Sequence, residues 1–323
     1  MLPWNLPVLD SLRRADLPHA LLVHGVQGAG KLALAEQFAQ LVLCEAADPA
    51  ARPCGLCDGC RWYLGGNHPD FRRVEPEALA PPRAEEEEGA ASAKRAAKPS
   101  MEIKVDQIRE LADFLNLGSH RGRRRLALVH PAEDMNANAA NALLKGLEEP
   151  PPGAMFILVS HRPASLLPTI RSRCIAVPVA LPPRPAALKW LESQGVKDAA
   201  RWLAYAGGAP LRALAHASDA ETVDRLIRAI AARGEIIVDD REALEALAEA
   251  LQKSALDEAL VAFGLPAKYR AGGERSAAPA QARAWLSFAR EMGKNRLLAR
   301  HPLNARLFAA EMMAGLPLNA KST

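Results

Sequence analysis

Up to Val179 the chain alternates short apolar runs with longer segments of helical periodicity. Ala20–Val23, Leu126–Val129, Met155–Val159 and Ile175–Val179 are continuous apolar runs of strand length. His68–Val74 reads as a turn into a further short strand. Unbroken runs of this kind suit strands buried on both faces rather than strands with one wet face. Between them, Leu34, Phe38, Leu41 and Val42 recur along Lys31–Leu43, and Ile108, Leu111, Ala112 and Leu115 along Val105–Leu115. Ala140, Leu143, Leu144 and Leu147 recur along Asn136–Glu149, which ends at Pro150-Pro151-Pro152. These spacings predict amphipathic helices, the last one stopped by residues that cannot continue it. A short helix and turn are expected within residues 1–19. Strands alternating with helices predict an α/β domain over residues 1–180, a parallel sheet with helices on both faces.

The pattern then changes. Leu181-Pro-Pro-Arg-Pro185 is a stiff linker. Ala186–Glu192, Ala199–Tyr205 and Pro210–Ala217 read as a three-helix unit spanning 181–218. From 219 to 323 the text is helical, with stripes at Val223, Leu226, Ile227 and Ile230, at Leu244, Leu247 and Leu251, at Trp285, Phe288 and Met292, and at Leu303, Leu307 and Met312. These stripes carry no catalytic constellation and read as core or helix–helix interface. Residues 76–100 break the first domain with Glu85–Glu88, four prolines and many alanines, too little apolar side chain for a core. They predict a disordered insertion, solvated rather than acidic-site in character.

Composition adds limits. The 323 residues are 49% apolar, 24% charged and 5% aromatic, with a net charge of +4. That is ordinary for a globular protein and neither demands nor excludes contact with nucleic acid. No apolar run is long enough to span a bilayer as a helix, and Met1–Asp10 lacks a basic region followed by a long apolar one, so the cytoplasm is the expected compartment.

Candidate chemistry sits in three places. His24–Ala35 follows a strand and opens a helix, and Gly25 to Gly30-Lys31 fits G-x-x-x-x-G-K. Gly25, Gly28 and Gly30 would let backbone N–H groups wrap an anion at a helix N-terminus, with Lys31 reaching the terminal phosphates. The hydroxyl residue that should hold Mg²⁺ after the lysine is replaced by Leu32. At the end of Leu126–Val129, where a hydrolysing protein places acidic residues, stand His130-Pro131, with Glu133 and Asp134 beyond the expected register. Second, four of the five cysteines, Cys44, Cys54, Cys57 and Cys60, crowd into one short stretch. Two tandem x₂ spacings suit a closed four-thiolate zinc site, with Gly55 and Gly59 permitting tight turns. A group of buried or redox cysteines is the competing reading. Third, Arg121, Arg123, Arg124 and Arg125 precede a strand, and could meet phosphate, acidic residues or only solvent.

Together the damaged phosphate loop, the cysteine cluster, Asn141-Ala-Leu-Leu-Lys145-Gly-Leu-Glu-Glu149-Pro-Pro and Ser172-Arg173-Cys174 resemble the bacterial clamp-loader family of AAA+ proteins. The resemblance covers about residues 15–180 well and is carried further by the three-helix unit and Leu303-Asn-Ala-Arg-Leu-Phe308. It implies an AAA+ domain with a zinc module at 44–60, a lid at 181–218 and a helical collar at 219–323. Motor subunits keep Lys-Ser or Lys-Thr and Asp-Glu; Lys31-Leu32 and His130-Pro131 depart from both. The resemblance therefore implies a non-hydrolysing stator within the DNA-directed DNA polymerase holoenzyme, with no ATP hydrolysis of its own; the alternative is a gamma/tau-like motor. It implies that Arg173 acts in trans on a neighbour's ATP, against the plainer reading that it pairs with a local carboxylate, Arg171 being the weaker candidate. Ser160 falls at the family's first sensor position, or is only a strand-end residue. The implied partners are the gamma/tau motor subunits, the delta subunit and, through the complex, the sliding clamp and primed DNA; the implied cofactors are structural zinc and ATP contacted in trans.

Overall fold

The computed structural model describes residues 2–15, 17–80, 99–119, 124–234, 236–270, 279–299 and 304–317. The greater part of the expected insertion at 76–100, Arg121 and Arg123, and Leu303 lie outside the described residues. The chain divides into two compact units, Met1–Leu181 and Pro182–Thr323.

The first unit is built on five strands: β1 (Ala20–His24), β2 (Phe71–Val74), β3 (Arg125–Val129), β4 (Ala154–Ser160) and β5 (Ile175–Pro178). They form one sheet in the order β2-β3-β4-β1-β5, and every pairing is parallel. All seven residues of β4 and all five of β3 are buried, as the apolar runs Met155–Val159 and Leu126–Val129 within them require. Around the sheet lie α1 (Leu6–Arg14), α2 (Lys31–Leu43), α3 (Asp58–Leu64), α4 (Val105–Asn116), α5 (Ala137–Glu148) and the single turn α6 (Pro168–Arg171). Two apolar clusters follow from this arrangement. One joins α2 to Leu21, Val23, Leu128, Met155, Ile157 and Val159; the other joins α4 and α5 to Leu22, Val129, Phe156 and Leu158. Successive side chains of a strand point to opposite faces, so β1 and β4 serve both layers.

Several local expectations change. β5 is an edge strand paired on one side only, so Ile175, Ala176 and Pro178 are exposed rather than covered on both faces. Ile227 leaves the inward stripe of Val223, Leu226 and Ile230 and is exposed. Ala112 of α4 is exposed and Phe114 is buried in its place. The exchange follows from Arg125: its guanidinium stacks 4.7 Å from the Phe114 ring, donates to the Phe114 carbonyl, and lies 3.3 Å from the buried Asp70 carboxylate. Arg124 donates to the carbonyls of Leu17 and Pro18. The two described arginines of the run are thus structural fasteners, one with an acidic partner.

The second unit holds α7 (Arg184–Ser193), α8 (Ala199–Tyr205), α9 (Pro210–Ser218), α10 (Ala220–Ala232), α11 (Arg241–Ala262), α12 (Ala282–Leu298) and α13 (Ala305–Ala314). Ala187, Leu191, Trp202, Leu203 and Ala213 form one apolar cluster; Leu226, Ile230, Leu244, Leu247, Leu251, Trp285, Phe288, Met292 and Met312 belong to a second, larger one. A further changed expectation is Leu307, which the stripe with Met312 places inward but which is 69% exposed. Asn304 caps α13 by accepting from Leu307 N, which turns Ala309 and Met312 inward and Leu307 out. Between α9 and α11 lies a buried charge cluster: Glu249 pairs with Arg212, Lys253 and Arg296. No described helix is long and apolar enough to cross a membrane.

Candidate functional site

The glycine loop leaves β1 at His24 and enters α2 at Lys31, at the carboxyl edge of the parallel sheet, where open α/β sheets bind ligands. Gly25, Gly28 and Gly30 have φ of 149°, 84° and 95°. Gly30 has a second constraint, because a Cβ there would strike the Leu2 side chain and crowd Asn5. The N-terminal turn is held against the loop: Trp4 Nε1 donates to Ala29 O at 2.8 Å and Asn5 Nδ2 to Gly30 O at 2.9 Å. Lys31 does not project outward. Its ammonium donates to Val26 O at 2.7 Å inside the loop, and the residue is 2% exposed. Burial pulls the Lys31 pKa down to about 8, opposed by the charge of Glu133. Leu32 packs into the apolar cluster beneath α2 and offers no metal ligand.

The other side of this site is supplied by residues that sequence reasoning does not single out as ligands. A 3-10 turn, Ala132–Asp134, follows Pro131 and folds Glu133 back into the protein, where its side chain is 1% exposed. Glu133 Oε1 accepts from His161 N at 2.9 Å, and Arg162 lies 3.8 Å away. Sequence register puts this carboxylate beyond the strand end; the turn returns it close enough to act on Lys31. His130 and His161 meet edge to face at 5.3 Å. Burial is the largest cause that lowers the His130 pKa, to about 4, with His161, Arg73 and Lys31 adding to it and Glu133 opposing. At neutral pH His130 is therefore an uncharged ring where a hydrolysing site needs a carboxylate. Ser160 is fully buried at the end of β4, beside His24 of β1, and its Oγ accepts from Arg162 N at 3.2 Å.

The four cysteines do converge. All four Sγ atoms lie within 4.8 Å of one another, with Cys44–Cys54 at 3.6 Å and Cys44–Cys57 at 3.9 Å. Both distances far exceed a disulfide bond. Zn–S bonds of about 2.3 Å in a tetrahedron would set sulfurs about 3.8 Å apart, so the donor set fits zinc. Backbone N–H groups of Glu45, Cys54, Cys57 and Cys60 donate to the sulfurs at 3.3–3.4 Å. Hydrogen bonds from Leu56 and Cys57 hold the Cys54 thiol down at about 6, while burial pushes Cys60 up to about 12. Gly59 is required by proximity, since a Cβ would stand 2.6 Å from Leu43 O. Three of the cysteines lie on one tight segment; Cys44 ends α2, which ties the module to the phosphate loop's own helix.

Arg173 follows α6 and stands apart from both clusters, one-third exposed. Its Nη2 lies 2.7 Å from Glu148 Oε1, and its Nη1 donates to Thr169 O at 3.0 Å. Arg171 is exposed on the same turn.

A parallel sheet in this order, with a glycine loop after its interior strand β1 and helices on both faces, defines a P-loop nucleotide-binding-like domain of the AAA+ class. A DNA polymerase III gamma subunit-related protein from Thermotoga maritima has a similar fold, with a TM-score of 0.53 at 19% identity, covering 95% of this chain and 97% of that one. A family profile described as DNA polymerase III, delta subunit matches residues 8–182, and the chain belongs to that family. It is 40% identical over 216 residues to the DNA polymerase III subunit delta' of Pseudomonas aeruginosa, which is 65% of this chain and 60% of that protein. Similarity to the Escherichia coli tau subunit is 33% over 166 residues, 51% of this chain and 22% of that protein. The chain spans about half the length of the delta' relatives it matches.

Proposed function

We propose that this chain is a non-hydrolysing stator of the DNA polymerase III clamp loader, in the role of the delta' subunit, and helps place the ring-shaped sliding clamp on primed DNA. The observation that carries the reading is the phosphate loop itself. Its lysine is turned inward onto Val26 O, the next residue is Leu32, and a neutral His130 stands at the end of β3. A site of this kind does not polarise water or hold Mg²⁺. The chain works instead on its neighbour, where Arg173 reaches the ATP of an adjacent gamma/tau motor subunit. A guanidinium is always charged and forks across phosphate oxygens, which suits it to stabilise transition-state charge.

In this reading Cys44, Cys54, Cys57 and Cys60 hold a structural zinc, since four protein ligands leave no open position. Residues 181–218 act as lid and 219–323 as collar; most buried apolar residues of each segment fall in its own cluster, with Val223 of α10 packing in the first. The delta subunit and the motor subunits are direct partners, the clamp and DNA are reached through the complex, and the compartment is the cytoplasm. The motor reading draws on one observation, the return of Glu133 toward Lys31.

The test is ATP hydrolysis by reconstituted motor subunits carrying this chain as wild type or Arg173→Ala, alongside the chain alone. The chain alone is expected to be inert. The substitution is expected to cut the rate of the site it serves by about 10³-fold with assembly intact. Turnover by the isolated chain would make it a motor. An unchanged assembly rate would make Arg173 a structural residue.

A further inference from the structure

We infer that Glu148 is a positioning residue for Arg173, a role that rests on the trans reading above. The guanidinium is gripped from two elements at once: Glu148 Oε1 at 2.7 Å from the end of α5, and Thr169 O at 3.0 Å from α6. Ser172 Oγ is a third neighbour at 3.5 Å. Both anchors are rigid. Leu147 and Leu143 bury α5 against the sheet, Pro150-Pro151-Pro152 ends the chain's freedom just beyond Glu148, and Ile170 buries α6.

Stability does not account for a carboxylate at this place. Glu148 is the last residue of α5 and Glu149 follows it, so two negative charges sit at the negative end of a helix dipole. The pair itself is 35% and 49% exposed, in the range where ion pairs contribute about 0–1 kcal/mol. What the pair does supply is direction. A free arginine side chain has many rotamers, and fixing it on a phosphate costs order that Glu148 and Thr169 have already imposed. Five N–H donors leave the guanidinium with hydrogens free for phosphate oxygens while both anchors stay in place.

The experiment measures kcat and KM for ATP in the reconstituted assembly with Glu148→Ala, Glu148→Gln, Arg173→Ala and the double variant Glu148→Ala/Arg173→Ala. Glu148→Ala is expected to lower kcat about tenfold with KM for ATP unchanged, the cost of a misdirected guanidinium. Glu148→Gln, which keeps an acceptor oxygen, should recover most of that loss. The double variant should be no slower than Arg173→Ala alone, because the effect passes through Arg173. Wild-type kcat for Glu148→Ala beside a slow Arg173→Ala overturns the inference and leaves the trans reading standing. A further loss in the double variant also overturns it, since Glu148 would then act by another route. A wild-type rate for Arg173→Ala removes the reading on which it rests. Should Glu148→Ala fail to assemble, the near-isosteric Glu148→Gln decides: a KM-neutral drop in kcat that vanishes in the Arg173→Ala background supports positioning, and wild-type kinetics overturn it.

Discussion

The phosphate loop and the cysteine module sit at the two ends of one helix, α2, and have opposite electrostatic fates. The loop is closed by its own chain. Lys31 has Val26 O and the charge of Glu133, and the carbonyls of Ala29 and Gly30 accept from Trp4 and Asn5. The cysteine module is gathered but not balanced. Backbone N–H groups point at its sulfurs, burial favours the neutral thiol at Cys60, and four thiolates this close could coexist only around a cation. The loop's lysine is answered by its own chain, whereas the cysteine cluster has the donor set and spacing of a cation site.

The largest effect tests the module. Zinc chelation, or Cys60→Ser, should unravel residues 44–60 and leave the sheet folded, because apparent stabilities of structural zinc sites reach about 10–16 kcal/mol. Hydrogen exchange confined to that segment is the measurement; unchanged protection would mean that the cysteines hold no structural metal. Next is Glu133→Ala, which leaves the His161 N–H without its acceptor and removes a buried carboxylate whose charge favours the Lys31 ammonium. The loss is expected to cost about 2 kcal/mol in denaturant unfolding and to move the Lys31 pKa below about 8.

A smaller effect comes from acid. His130 titrates near 4 in the folded chain and near 6.5 when unfolded, so the unfolded state binds the extra proton between those values. The stability it contributes is complete above about 6.5 and is lost as pH falls through that window to 4. Thermal melts across it should flatten in His130→Asn; His216 of the second unit, also lowered to about 4 chiefly by burial, should retain its own share of the slope. The smallest expected effect is none: Leu32→Thr restores a hydroxyl but not a carboxylate at the end of β3, and turnover by the isolated chain should stay at background. Turnover in that variant would show that Glu133 can serve as the acidic residue.

Much of this was legible in the linear text. Unbroken apolar runs marked β1, β3 and β4, because a strand covered on both faces has no place for polar side chains; β2 and β5, at the edges of the sheet, keep exposed positions. The glycine spacing, Leu32, His130 and the cysteine spacing were all local patterns, each complete within one short stretch of chain. Arg173 was singled out by its triplet, but its partner was not, because Glu148 lies well upstream and on another element. The inward turn of Lys31, the reach of Trp4 and Asn5 across to the loop, and the return of Glu133 were equally invisible.

The sequence by itself determined the alternating α/β text, the composition of both sites and the loss of the hydroxyl residue after Lys31. Periodicity and spacing are properties of neighbours along the chain, and neighbours are what a sequence states. Only the tertiary structure decided which charges answer one another: Arg125 with Asp70, Arg173 with Glu148, Glu249 with Arg212 and Arg296. Those pairings depend on how strands and helices are stacked, and a carboxylate brought home by a one-turn detour carries no mark of its destination in the residues around it.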